Sequence, residues 1–303
     1  MRRRPVLFVA AILLIAFFYD AVLRSALAGL VSLPSIPGGL KVLTAILALF
    51  SVMHAWYALG GRPTLAFFAL SAGVAWAYEQ VGITTGLVFG AYHYTDYLGA
   101  RLGVVPVLIP LAWFMMIYPS YVVANLLVDG RPTGTSGGVR RLLALAAASA
   151  VVMTAWDLVV DPILSGPSVR AWIWETGGPY FGIPIQNYAG WLLTTFTVYL
   201  AYRALERRWA GGFGAATARS GGGAGMPPSS AAAAMPVAAY GLMLVADLLS
   251  GVAPDGLILI GPLVMGVPLA AAAWRLRGSS VDRSAAAPVA AGAELAIDRS
   301  GAR

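Results

Sequence analysis

Residues 142–164 read LLALAAASAVVMTAWDLVVDPIL, an apolar run of membrane-spanning length that carries two aspartates, Asp157 and Asp161, near its end. About 20 residues of helix cross the hydrocarbon core of a bilayer. A spacing of four places both carboxylates on one helix face. An ionisable side chain inside such a segment costs roughly 2.5–3.5 kcal/mol on insertion scales and marks a functional site by default. Two of them on one face strengthen that reading.

The rest of the chain is of the same kind. Its 303 residues are 59% hydrophobic and only 11% charged, with a mean hydropathy of +0.77. A soluble domain carries roughly 25% charged residues. The composition therefore predicts an all-α, polytopic integral membrane helix bundle. Apolar runs of about 20 residues place about eight transmembrane helices, at 5–30, 40–59, 64–81, 105–128, 142–164, 188–205, 235–252 and 256–274. Pro34, Pro37, Gly60, Pro63 and Pro254, together with the glycines of 130–138, punctuate them. The chain has no cysteine, which excludes disulfides and thiolate metal sites, and its two histidines, His54 and His93, are too few for a histidine-rich di-iron site. The net charge of +7 does not point to nucleic acid, because the arginines fall at segment ends instead of forming one patch.

Those arginines report topology. With both termini cytoplasmic, the outer side keeps only Lys41, Arg101 and Arg170, as the positive-inside rule expects. The start of the chain, three arginines, an apolar run and then Ser25-Ala-Leu-Ala28, has the outline of a cleavable signal peptide. Its apolar part is longer than the usual core of about 7–15 residues, so a retained first helix is expected. The segment 211–234, rich in glycine, alanine and serine, reads as a flexible linker between a motif-bearing six-helix part (1–210) and a two-helix part (235–276). The tail 277–303 reads as disordered.

In this topology the acids within apolar sequence, Asp20, Glu79, Asp157, Asp161 and Asp247, lie at similar depth near the outer side. They are expected to converge on one outward-opening cavity. Asp20 and Arg24, an i, i+4 pair, are expected to neutralise each other. Asp247 stands alone in its helix and needs a partner from another segment. His54 is expected to hydrogen-bond within the bundle, and Asn187 to act as an N-cap or as a ligand.

Two outer loops carry the remaining polar chemistry. One reads GLVFGAYHYTDYLG (86–99) and the other WIWETGGPYFGIPIQN (172–187). Their glycine and aromatic density suits two structured outer loops that line a protein cavity better than solvated linkers. An interfacial aromatic belt is the plainer alternative, although a belt does not require Glu79, His93, Asp96 or Glu175.

The runs FGAYHYTD (89–96), VPVLIPLAWFMM (105–116), WDLVVDP (156–162), Trp174-Glu175, YFGIP (180–184) and NYAGW (187–191) together resemble the membrane carotenoid hydratase family. That family includes the bisanhydrobacterioruberin hydratases and carotenoid 1',2'-hydratases. The resemblance implies cofactor-free addition of water to the terminal double bond of an acyclic carotenoid end, giving a tertiary alcohol. It also implies a lipophilic carotenoid substrate, the lipid bilayer as surroundings, and other carotenoid-pathway membrane enzymes as neighbours. No metal is implied.

Protonating an alkene carbon needs a strong acid that stays proton-loaded at neutral pH, a condition that burial and a like-charged neighbour both favour. Asp157 and Asp161, sharing a proton, are the expected acid. Glu79, Asp96 or Glu175 are the expected water-orienting bases, and His93 is the better polar candidate of the two histidines. Aromatic faces stabilise a cation, and Tyr92, Tyr94, Trp113, Trp156, Trp172, Trp174 and Phe181 are the candidates, with Asn187 beside them. Two other readings stay open. Asp157-Leu-Val-Val-Asp161 also fits the spacing of an intramembrane prenyltransferase that holds Mg²⁺ against a diphosphate, and a transporter or scaffold would use the acids as a proton relay.

Overall fold

A computed structural model describes residues 3–135, 137–217 and 230–277. Eight long helices form within them. Helix α1 (Arg3–Phe17) continues through a π-helical turn, Phe18–Leu23, and a last short piece, Arg24–Ala26. It is followed by α2 (Gly39–Leu59), α3 (Gly61–Thr85), α4 (Leu108–Asp129), α5 (Val139–Leu164), α6 (Ile185–Thr217), α7 (Ser230–Leu248) and α8, which starts at Leu257–Gly261 and runs on to Arg277. All eight coincide with the expected apolar runs. Gly86 (φ 71°) and Gly130 (φ 65°) close α3 and α4 in the left-handed conformation that a side chain disfavours.

Six of the eight, α1, α2, α4, α5, α7 and α8, are long and apolar enough to cross a membrane. The other two, α3 and α6, are 25 and 33 residues long, and they are the helices that carry Glu79 and Asn187. The protein is a multi-pass membrane bundle. Its outer faces suit lipid: Phe8 and Ile15 on α1 and Leu259 and Leu263 on α8 are exposed. The expected linker 211–234 is helical at both ends, since α6 reaches Thr217 and α7 begins at Ser230. Its centre, 218–229, and the tail from residue 278 lie outside the described residues.

Pro119 in α4, Pro162 in α5 and Pro236 in α7 each free the carbonyl four residues earlier. Each freed carbonyl is taken by a side chain from elsewhere. Pro119 releases Met115 O, which accepts from Ser51 Oγ at 2.8 Å. Pro162 releases Leu158 O, which accepts from Tyr180 Oη at 2.7 Å. Pro236 releases Ala232 O, which lies 2.8 Å from His54 Nε2. A carbonyl only accepts, so that histidine nitrogen carries the hydrogen and Nδ1 accepts from Tyr118 Oη at 2.6 Å. His54 thus holds α2, α4 and α7 together, as its expected bundle role requires.

The loops 86–99 and 172–187 meet. Strand β1 (Tyr92–Tyr94) pairs antiparallel with β4 (Trp172–Trp174), with Tyr92 opposite Trp174 and Tyr94 opposite Trp172. A smaller ladder joins β2 (Arg101–Leu102) to β3 (Val105–Pro106). The ring of Phe89 anchors the first loop between α3 and α6. A Cβ on Gly82 or on Gly190 would lie 2.7 Å from that ring, so only glycine leaves room for it.

Candidate active site

Successive side chains of a strand point to opposite faces, and this decides what the β1–β4 ladder presents. Tyr92, Tyr94, Trp172 and Trp174 all border a cavity of about 370 Å³ at the end of the bundle that carries the two loops, together with residues of α1 to α7. His93 and Ile173 face the other way. Four carboxyl side chains reach the cavity: Asp20, Glu79, Asp161 and Asp247.

Asp157 and Asp161 lie one turn apart on α5 and are both buried. The Asn187 side chain, at the start of α6, donates to Asp157 Oδ2 at 2.8 Å and to Asp161 Oδ2 at 2.7 Å. Asp161 Oδ1 also accepts from Trp172 Nε1 at 2.8 Å. Asp157 Oδ1 is buried with no hydrogen-bond partner among the described residues. The pair is therefore arranged in depth, with Asp161 at the cavity wall and Asp157 behind it.

Glu79 on α3 is held differently. Its Oε2 accepts from the hydroxyls of Tyr92 and of Tyr94, the latter at 2.9 Å, and its Oε1 accepts from Trp113 Nε1 at 3.3 Å. Three donors converge on an acceptor-only group, an arrangement that suits a fixed carboxylate. Burial first, and then the Glu79 charge, pushes both loop tyrosines well above the usual phenol range. They remain O–H donors.

An aromatic wall links these groups. Trp113 stacks on Trp191 with centroids 4.1 Å apart, and Trp191 meets Trp156 edge-on at 6.0 Å. Trp156 Nε1 in turn donates to Asp247 Oδ2 at 3.1 Å. Asp247 has found its partner on another segment. Asp20, on the π-helical turn of α1, is neutralised as expected, with Arg24 Nε 3.4 Å away, and it also accepts from Ile36 N at 2.6 Å.

The structure brings together Asp157, Asp161, Glu79, Asn187, Tyr92, Tyr94, Trp113, Trp156, Trp172 and Trp174. Four other candidates lie elsewhere. His93 Nδ1 contacts Glu175 Oε1 at 2.5 Å on the exposed side of the ladder. Asp96 is exposed and pairs with Arg101 at 3.0 Å. Phe181 is exposed and packs towards Gly256 at the start of α8. Of the three expected bases, then, only Glu79 borders the cavity. Sequence reasoning passed over Trp191, which sits in the quoted NYAGW run with no role, and gave Asp247 no task. The sequence signal for Asp247 was its lone charge in an apolar helix.

Among the described residues no group of three or more histidine or acidic side chains is placed to hold a metal ion. Around Asp157 and Asp161 the polar partners are N–H donors, which face three of the four carboxyl oxygens.

Fold and site together define a multi-pass membrane protein with an oily, aromatic cavity edged by carboxyl groups. The chain belongs to the carotenoid biosynthesis protein family, whose model matches residues 40–250. It is 35% identical over 142 residues to a bisanhydrobacterioruberin hydratase of Haloarcula japonica, a stretch that is 46% of this chain and 45% of that relative. The match thus spans less than half the length of the relative. No solved structure matches the chain.

Proposed function

We propose that this protein is a carotenoid hydratase that adds water across the terminal C1–C2 double bond of an acyclic carotenoid end group, giving a tertiary 1-hydroxy carotenoid. The observation that carries the reading is the pairing of Asp157 and Asp161 on Asn187 at the wall of an aromatic cavity. The hydratase name of the Haloarcula japonica relative supports it.

The cavity admits an apolar end group, and the carboxylic acid of Asp161 gives its proton to C2. The electrons of the double bond form the new C–H bond, and C1 becomes a tertiary cation. Asp157, held to the same amide, keeps the local charge shared over two carboxyls. Ring faces of Trp113, Trp191, Trp156 and Trp174 stabilise the cation through their quadrupoles, at about 0.5–2 kcal/mol per contact. None of them traps it covalently. The Glu79 carboxylate, fixed by its three donors, adds negative potential that needs no rearrangement at the moment of reaction. Water then joins C1 and releases its extra proton. No step requires a cofactor.

With the termini cytoplasmic, as the arginine distribution supports, the cavity opens towards the outer leaflet. The carotenoid chain beyond the reacting end extends into the bilayer, where other membrane enzymes of carotenoid biosynthesis are the natural neighbours. The six-helix part and the C-terminal helix pair act as one unit around the cavity. A prenyltransferase would need cations at Asp157 and Asp161, but N–H donors point at them. The cavity's own arginine, Arg24, is engaged with Asp20.

The test is direct. Cells that accumulate an acyclic carotene are compared with and without this chain, and pigments are resolved by mass. A gain of one water supports the proposal; an unchanged profile or the gain of a prenyl unit overturns it.

A further inference from the structure

The hydration chemistry leaves one task without a residue: something must hold the attacking water and take its proton. Of the four carboxyls at the cavity, three are committed. Asp20 is charge-paired with Arg24 through Oδ1, which also accepts from Ile36 N, so a cation already neutralises it. Glu79 is ringed by Tyr92, Tyr94 and Trp113. Asp161 is tied to Asn187 and Trp172 and is the proton donor.

Asp247 is different. Its Oδ2 accepts from Trp156 Nε1 at 3.1 Å, while Oδ1 makes no hydrogen bond among the described residues and is not sealed off, as Asp157 Oδ1 is. The side chain borders the cavity with Ser250 one turn away, beyond the last residue of α7. Trp156 fixes its orientation from α5, next in sequence to Asp157. Trp156 also faces Trp191, so the ring that orients Asp247 belongs to the wall assigned to the cation.

Resting on the hydratase reading, we infer that Asp247 is the catalytic base of the second half-reaction: its free Oδ1 orients a water molecule towards C1 and accepts the proton released as the C–O bond forms. The bookkeeping closes. Asp161 loses a proton to C2, water adds to C1, Asp247 gains the proton that water loses, and cavity water returns it from Asp247 to Asp161. The C-terminal helix pair is therefore part of the active site.

The experiment uses full-length protein in membranes from carotene-producing cells, equilibrated in deuterated water. Wild type gives hydrated product with deuterium at C2. In Asp247→Asn the cation still forms but is not captured, so Asp161 takes a proton back from C2. The variant is expected to lose hydration by about 10²–10⁴-fold, the usual contribution of a general base, while the recovered alkene carries deuterium at its end. Asp247→Glu restores part of the hydration. Wild-type hydration rates in Asp247→Asn, or joint loss of hydration and exchange, would overturn the role of Asp247 alone. A wild type that neither hydrates nor exchanges removes the hydratase reading, and this role with it.

Discussion

Trp113 and Trp191 lie nearly parallel, planes 21° apart and centroids 4.1 Å apart, and together they join the Glu79 side of the cavity to the Trp156–Asp247 side. A cation generated in this cavity meets ring faces backed by carboxylates. That relationship makes the chemistry open to test at single residues.

Asp161→Asn keeps the shape of the side chain and removes the proton donor. Hydration is expected to fall by about 10²–10⁴-fold, with the protein still inserted in the membrane. Asp157→Asn is expected to lower the rate as well, because the second carboxyl held by the Asn187 amide is lost. Pigment profiles at matched membrane protein levels check both.

Asn187→Leu deletes the amide that joins the two aspartates. Two buried oxygens lose a donor, at about 1–3 kcal/mol each for a buried polar atom left unsatisfied. A lower melting midpoint in detergent and a slower hydration rate are expected together. Asn187→Gln, if its longer amide reaches both carboxyls, recovers part of each.

Trp191→Leu removes one face of the aromatic wall. At about 0.5–2 kcal/mol per cation–π contact, the rate is expected to drop by roughly 2- to 30-fold, with Trp191→Phe falling less. Equal rates in the two variants would contradict a cation-stabilising role for the ring.

Tyr180 gives a pH-dependent test. Burial first, and then the charges of Asp157 and Asp161, push its phenol up to about 12, against about 10 in an unfolded chain. Above pH 10 the unfolded state therefore binds fewer protons than the folded one. The contribution of this group to stability is complete below pH 10 and is lost as the pH rises towards 12. Tyr180→Phe is expected to lower stability at neutral pH by about 0.5–1.5 kcal/mol, through the lost bond to Leu158 O. It should also flatten the alkaline decline, and melting midpoints across pH 8–12 read both effects.

Much of this was legible before the structure. Apolar runs located all eight helices, because length and hydropathy are local properties, and the spacing of Asp157 and Asp161 put them on one face. What sequence did not reveal was long-range pairing. Tyr-His-Tyr at 92–94 is a strand only because Trp-Ile-Trp at 172–174 lies opposite. Once that pairing exists, alternation turns His93 outward and both tyrosines inward. Glu175, just past β4, follows His93 to the exposed side, and Asp96 meets Arg101 across a turn. Asp247 could be placed at the cavity by its depth, but its partner, Trp156, is 91 positions away and has no local signature. The carbonyls freed by the prolines at 119, 162 and 236 are fixed points of the bundle, and their distant partners Ser51, Tyr180 and His54 have no local signature.

Heavy-oxygen labelling follows the added water itself. Membranes holding wild type or Asp161→Asn are given an acyclic carotene in water enriched in heavy oxygen, and the product is analysed by mass. One labelled oxygen at the tertiary carbon is expected with wild type and none above background with the variant. Label incorporation by Asp161→Asn at the wild-type rate, or a wild-type product whose oxygen does not come from water, would contradict it.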